Sequence, residues 1–518
     1  MSDPDLIYLV EITAYDDAIP GTRVLRYASG LGMMTRPSET PGNAWYAPRL
    51  LQPIAFTRTM FSTARVTGGA TVGAGEIVLN NTDQGLASLR NLGIDGRDVV
   101  VRVGPQGGAY PGGFTTILTG TAEQVEVGAS KATIRLRDRM ELLKQPLQAT
   151  LYAGNNALPA GAEGVATDIK GQRKPLVFGL RRQIEPVLVN TAKRIYQVHD
   201  GLVDLIETVF DRGAELAGTG VNHANLAALE ASVIPAGQWD TCNALGLFRL
   251  SSIPAGRVTA DVYGDATGSY VNTAARIVER ILVGRCGFVA GDLDAASFTA
   301  LASAAAYVCG EHFAGDTTRL AAIDAILASV GGWIVPTRTG LWQVGRLVAP
   351  SGTPAFFFSD TDILALDSRA TRDAGAGVPV WRVKLRGARY APAGAADLAA
   401  GLLEAVKANF MQEWRESVST DAAVQTKHLL APEIVVETAI EPVASMATEA
   451  ARLLALHKVS RDFVQARVAL TQANAAIDLG QVARLTTPRL GYGAGRDFIV
   501  VGIETDGRRR RMTLDLWG

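Results

Sequence analysis

The side chains with the widest chemical reach stand at Cys309-Gly310-Glu311-His312, the one tight cluster whose thiol, carboxylate and imidazole could all ligate a metal. A structural zinc site takes about four nitrogen or sulfur ligands at matched spacing. No second CxxH or CxxC half-site accompanies the cluster, and His199, His223, His428 and His457 each stand alone. No metal is expected. His457 falls on the apolar stripe of a helical pattern and reads as a packed side chain. Cys242, Cys286 and Cys309 are too few and too scattered for a disulfide framework and read as buried free thiols.

Other routes to chemistry find no anchor. A G-x-S-x-G elbow would place an exposed serine on a strained strand-to-helix turn, and the chain has none. Gly73-Ala74-Gly75 precedes a strand rather than opening a helix, and there is no G-x-x-x-x-G-K-[ST], so no phosphate cradle is read. A glycosidase needs two carboxylates facing each other across a cleft; Asp360, Asp362 and Asp367 are the available acids, and they read as solvated loop residues. Glu11 and Glu76 sit in strand patterns as outward-facing charges. The run Arg508-Arg509-Arg510-Arg511 could meet phosphates. It leaves an Asp506-Gly507 turn and enters a strand, so alternate arginines would face opposite sides of the ribbon. The reading is a solvated or interfacial hairpin tip, with an acidic partner next and DNA last. No catalytic, cofactor-binding or metal residue is assigned, and no cofactor is expected.

The elements around these residues are mostly strands. Leu6 to Tyr15 and Thr22 to Tyr27, joined by Pro20-Gly21, form a hairpin pattern. Gly75 to Asn80, Asp98 to Val103, Thr115 to Gly120, Ala122 to Val127 and Ala132 to Arg137 follow at the spacings of a sandwich or barrel. Residues 151–180 read as a long Gly/Ala/Pro-rich connection. Val203 to Leu216 fits either a helix or a strand and turn. After the Arg257 to Tyr263 strand come helices over Val271 to Val283 and Thr317 to Val330, the latter with Asp316 as N-cap and Gly331 as stop. Trp333 to Val335 and Leu341 to Val344 flank a hairpin turn. Helical patterns return over Ala396 to Ser417 and Met446 to Lys458. Strands close the chain at Val464 to Leu470, Gln481 to Leu485, Phe498 to Glu504 and Met512 to Trp517, with Asp506-Gly507 as a type I′ signal.

The expected fold class is therefore α+β and β-rich: several antiparallel β-barrel or sandwich domains with a central α+β domain. Its divisions are an N-terminal antiparallel β domain at 1–150, a mixed connecting region at 151–255, an α+β domain at 256–350, and helical segments with a C-terminal β domain at 351–518. A length of 518 residues suits two to four domains. With 47% hydrophobic and 19% charged residues, extensive disorder is excluded. Fifty Lys and Arg against 51 Asp and Glu leave a net charge of -1, which excludes the basic footprint of a protein that wraps nucleic acid. No stretch reaches the ~18 uncharged apolar residues of a membrane span. The acidic Met1 to Asp5 start does not read as a signal peptide, so synthesis in the cytosol is expected. An apolar-rich, sparsely charged chain of this kind hides surface against neighbours.

A series of local patterns, in order along most of the chain, resembles the tail-tip or baseplate hub proteins of long-tailed bacteriophages and related gene-transfer particles. They are Asn80 to Gly85, Ile94 to Arg97, Ile134 to Arg139, Lys170 to Gly179, Pro186 to Val189, Pro254 to Val262, Glu449 to Leu456, Asp478 to Val482 and Leu514 to Gly518. None is a catalytic motif. The resemblance implies a structural hub without enzymatic activity, built of stacked β-barrel and α+β domains. Such hubs form a ring, usually a homotrimer, that joins the tail tube to tip or fibre proteins. The implied partners are further copies of the chain, the distal tail ring, tip or fibre proteins and the tape measure, with DNA only in transit through the lumen. The implied location is the virion tail, after synthesis in the host cytoplasm. Some hubs carry an added lytic domain; none is expected after Trp517-Gly518. Two alternatives stand beside this reading: another β-rich adaptor or adhesion protein, and a cell-wall-degrading tail enzyme.

Overall fold

The computed structural model describes residues 6–18, 21–61, 69–73, 75–137, 139–369 and 378–518. The expectations for Met1 to Asp5, for Pro20, for Ala74 and for Asp138 lie outside these residues. Strand accounts for 40% of the chain and helix for 18%, in several antiparallel sheets and a curled half-barrel. This is the β-rich α+β class expected from the sequence.

The first sheet runs, from edge to edge, Gly21–Ala28, Leu6–Asp16, Asp98–Pro105, Thr115–Val127, Lys131–Leu136, Glu76–Asn80 and Leu50–Gln52. Alternation drives it: Val10 and Ile12 point into the core with Val99, Val101, Ile77 and Ile134, while Ile7 and Leu9 join a second buried cluster with Tyr46 and Tyr110. Removing each such side chain from water stabilises the sheet by roughly 1.5–3 kcal/mol. The two strands expected at Thr115 to Gly120 and Ala122 to Val127 are one, because bulges between Thr116 and Leu118 and between Ala122 and Gln124 absorb the break in alternation.

A second sheet contains Val203–Asp211 and Ala214–Asn222, which settles the ambiguous segment as a hairpin. Val203, Ile206 and Val209 are buried in one small core against Val258, Ala260 and Val262. The passage expected to be connection to residue 180 ends in a strand, Leu176–Ile184, which pairs with Val258–Asp265 on one side and Gly310–Phe313 on the other. This sheet also holds a parallel pair, Ala214–Asn222 with Gln238–Cys242.

Helices Ala274–Cys286, Ala295–Ala304 and Arg319–Ala328 pack together beside the Gly332–Pro336 and Trp342–Arg346 hairpin. The first buries Ala274, Ile277, Val278, Ile281 and Leu282 and stops at Gly287, whose φ of 78° is a left-handed C-terminal turn. The third starts later than expected. Thr318, not Asp316, caps it, its Oγ1 accepting the Ala321 amide at 3.2 Å, and Asp316 instead pairs with Arg173.

Three strands, Arg415–Thr420, Arg382–Gly387 and Glu433–Glu437, form a small sheet backed by helix Val443–His457. The helix expected from Ala396 to Ser417 is confined to Glu404–Met411, since the residues from Arg415 on are recruited as a strand. The last sheet joins Phe356–Ser359, Val482–Thr486, Arg496–Asp506, Arg511–Trp517, Phe463–Ala469 and Ile363–Ser368, and it also takes in Ala55–Thr59, which pairs with Arg496–Asp506. No helix among the described residues is long and apolar enough to cross a membrane.

Candidate functional site

The Cys309 to His312 cluster is a structural edge. Gly310–Phe313 pairs with Leu176–Ile184 in the register Val177 with His312 and Gly179 with Gly310. A Cβ at Gly310 would fall inside the Leu180 carbonyl, and one at Gly179, where φ is 65°, inside the Cys309 carbonyl, so glycine is required at both positions. Cys309 is wholly buried and its thiol is pushed up to about 12 by that burial. The His312 imidazole is depressed to about 3, first by burial and then by the charges of Arg181 and His199. Among the described residues no three His, Cys, Asp or Glu side chains are grouped to hold a metal ion.

The other histidines are placed one by one. His199 is buried; its Nδ1 accepts the Val177 amide at 2.9 Å, which puts the proton on Nε2, 3.6 Å from Asp265. Burial alone would raise the Asp265 carboxyl, but His199, Arg280 at 2.5 Å and the Thr267 amide outweigh it and hold it at about 2. His223 Nε2 meets Asp240 at 2.7 Å, and Thr219 donates to the other Asp240 oxygen. A hydroxyl nucleophile needs the imidazole between it and the carboxylate. Here the carboxylate is in the middle, so the trio ties strand to strand. His457 is buried on its helix, 6.4 Å from the Trp517 ring centre.

The acids fare similarly. Asp360 accepts from Thr487 Oγ1 and Arg489, Asp362 closes a turn by accepting the Ser359 amide and hydroxyl at 2.9 and 2.6 Å, and Asp367 lies in the Ile363–Ser368 strand. Glu76 is exposed at the start of its strand, as expected. Glu11 differs from expectation. Its carboxylate accepts Tyr46 Oη at 2.6 Å, Tyr110 Oη at 3.0 Å and Arg102 at 2.5 Å, beneath the loop that carries Tyr46. Burial would raise its pKa, and these donors lower it instead. Gly73 pairs opposite Thr57, and a Cβ at Gly75 would collide with the Ala55 carbonyl, so Gly75 serves close backbone approach.

The arginine run is placed otherwise than the sequence implied. Asp506 pairs with Arg511, and Gly507 to Arg510 form a four-residue loop in which Arg510 takes a φ of 50° and Asp506 accepts the Arg509 amide. The two-residue type I′ turn is not formed. Only Arg511 is in a strand; Arg508 and Arg509 project from the loop, and Arg510 turns back to the Leu6 carbonyl at 2.6 Å.

Two buried charge clusters escaped the sequence reading. Arg181 donates to Glu441 at 2.9 Å and to the Arg389 carbonyl at 2.7 Å, next to Arg182, which meets Asp261 at 2.9 Å. Burial lifts the Glu441 carboxyl to about 7 against the pull of both arginines. The second cluster is centred on Arg58, only 2% exposed, which donates through Nη1 to Asp478 at 2.6 Å. The alternation of Phe56, Thr57 and Arg58 carried the signal: it places Arg58 on the same inward face as Phe56.

No family model matches the chain, and no curated protein matches it in sequence. Among solved structures it is similar to the tail protein from Neisseria meningitidis MC58, at 9% identity and a TM-score of 0.38, over 92% of this chain and 94% of that one. It is similar to the 43 kDa tail protein of prophage MuSo2 from Shewanella oneidensis, at 10% identity and 0.35, over 92% and 96%. A third is a chain of the native gene transfer agent particle, at 14% identity and 0.41, over 73% and 91%. These three solved structures are two tail proteins and a gene-transfer virion.

Proposed function

We propose that the chain is a non-enzymatic structural component of a phage-type tail, the hub at its tip or baseplate. Several apolar side chains stand exposed in loops. Leu31, Val233, Ile253, Leu403 and the adjacent pair Leu429 and Leu430 are each 75–97% exposed. Scattered side chains of this kind are ordinary on a monomer and are also available to neighbours in an assembly. The observation that carries this reading is the ordered series of local patterns, from Asn80 to Gly85 through Leu514 to Gly518, that resembles hub proteins.

In this proposal three copies close a ring that connects the tail tube to tip or fibre proteins and surrounds the DNA exit channel. A closed ring of identical subunits needs heterologous faces that meet on rotation. The neighbours are the distal tail ring, the tape measure and the tip or fibre proteins. The divisions at 1–150, 151–255, 256–350 and 351–518 are the units that stack, and the chain reaches the virion tail from the host cytoplasm. Imaging of purified tails tests the proposal: a ring of this chain at the tip supports it, and a stable monomer absent from particles overturns it. Zymography on peptidoglycan tests the enzymatic alternative, which requires lysis abolished by a single Asp or Glu substitution.

A further inference from the structure

Two small spaces adjoin beneath the Ala55–Thr59 strand, and Phe56 and Arg58 line both. One, of about 10 Å³, is closed by Arg338; the other, of about 50 Å³, is walled by Arg137 and Arg139 with Leu118, Leu136 and Pro336. Arg58 is almost wholly buried, and its Nε and Nη2 are sealed from solvent with no hydrogen-bond partner. Buried donors of a charged group left unpaired are costly.

Three further guanidinium groups line these spaces. Arg139 donates to the Gly340 carbonyl and lies 3.6 Å from Asp292, and Arg338 donates to the Thr116 carbonyl. Arg137 is exposed at the mouth. Among the described residues the carboxylates in contact with these four guanidinium groups are Asp478 and Asp292. Apolar walls keep the field of these groups from being screened. The larger space exceeds the roughly 30 Å³ share of one water molecule and is far below the ~300 Å³ of a typical small-molecule pocket.

We propose that this cleft binds one compact oxyanion, either a free phosphate or a single carboxylate group. The guanidinium groups of Arg137 and Arg139 supply the donors, with the charge of buried Arg58 behind them, and charge-assisted bonds of this kind suit both ligands.

Calorimetric titration of the full chain tests this, with inorganic phosphate and acetate as probes and chloride at matched ionic strength as reference. The expected result is saturable binding of one phosphate or acetate per chain, weakened roughly tenfold or more in Arg137→Ala. Arg137 is exposed, so this variant keeps the fold; an unchanged melting temperature without anion checks that. Tighter phosphate assigns a free phosphate, and tighter acetate assigns a carboxylate from a neighbouring chain. Phosphate and acetate behaving as chloride does, or Arg137→Ala binding as the parent does, overturns the proposal.

Discussion

The Arg58 guanidinium and the Asp478 carboxylate meet at 2.6 Å although 420 positions separate them. Their side chains are 3% and 16% exposed. The pair lies where the Ala55–Thr59 strand enters the sheet formed by the last third of the chain. Replacing one partner of a buried pair strands the other charge in a medium that solvates it poorly.

Asp478→Asn is therefore expected to cost about 3 kcal/mol of folding stability. Glu126→Gln, at the exposed pair with Arg135 where both side chains are more than half accessible, is expected to change it by less than about 0.5 kcal/mol. Urea denaturation of both variants checks the contrast.

Two carboxyls should each contribute a fall in stability as pH rises through the mildly acid range, opposite in sign to the contribution of the depressed His312. Burial raises the Asp324 carboxyl to about 6 and that of Glu441 to about 7. A carboxyl with its folded pKa above its unfolded value binds more protons folded than unfolded. Stability is therefore greatest below the unfolded value and declines until the folded value is passed. Asp324→Asn keeps an acceptor for the Gly69 amide and should flatten the decline between about pH 4 and 6, by no more than roughly 3 kcal/mol. Denaturation midpoints measured across that range, in variant and parent, give the difference directly.

Gly179→Ala and Gly310→Ala are expected to cost at least about 2 kcal/mol each, since a methyl at either site collides with backbone rather than with a side chain that could move. Gly96→Ala has open space around it and a φ of 68°, so only backbone strain opposes it, at about 1 kcal/mol. Thermal melting ranks the three.

Serine at both Leu429 and Leu430, which are 88% and 85% exposed, should leave stability within about 0.5 kcal/mol of the parent. If neighbours in a tail cover this loop, the variant is depleted from assembled particles. Quantitative mass spectrometry of particles against total protein reads this out, and equal incorporation would show that the loop is left uncovered.

Much of the strand content was legible, because runs such as Ile134 to Leu136 and Val99 to Val103 alternate in step with the pleat. Partners were not. Nothing local to Phe56 or Arg58 announces pairing with Ile503 and Thr505, and the strand identity of Arg415–Thr420 comes from its neighbour Arg382–Gly387 rather than from propensity. The Asp506-Gly507 pair misled on turn type because Arg510 takes the left-handed position usually left to glycine or asparagine. At the sites, the contacts of the histidines and acids were not legible, since His199 meets Asp265 and His223 meets Asp240 across strands. Glu11 looked like solvated charge until the Tyr46 and Tyr110 hydroxyls, far along the chain, closed over it.

The Ala55–Thr59 strand has a consequence for synthesis. Its partner, Arg496–Asp506, is translated about 450 residues later. At ~5–20 residues per second the ribosome takes roughly 20–90 s to supply it. During that interval the strand has, among the described residues, only Thr71–Gly73 as a partner, and its other edge and its inward face with Phe56 and the cation of Arg58 stay open. Completion of this sheet is thus a post-translational event, and a chaperone that shields the early strand is expected to raise the yield of folded protein.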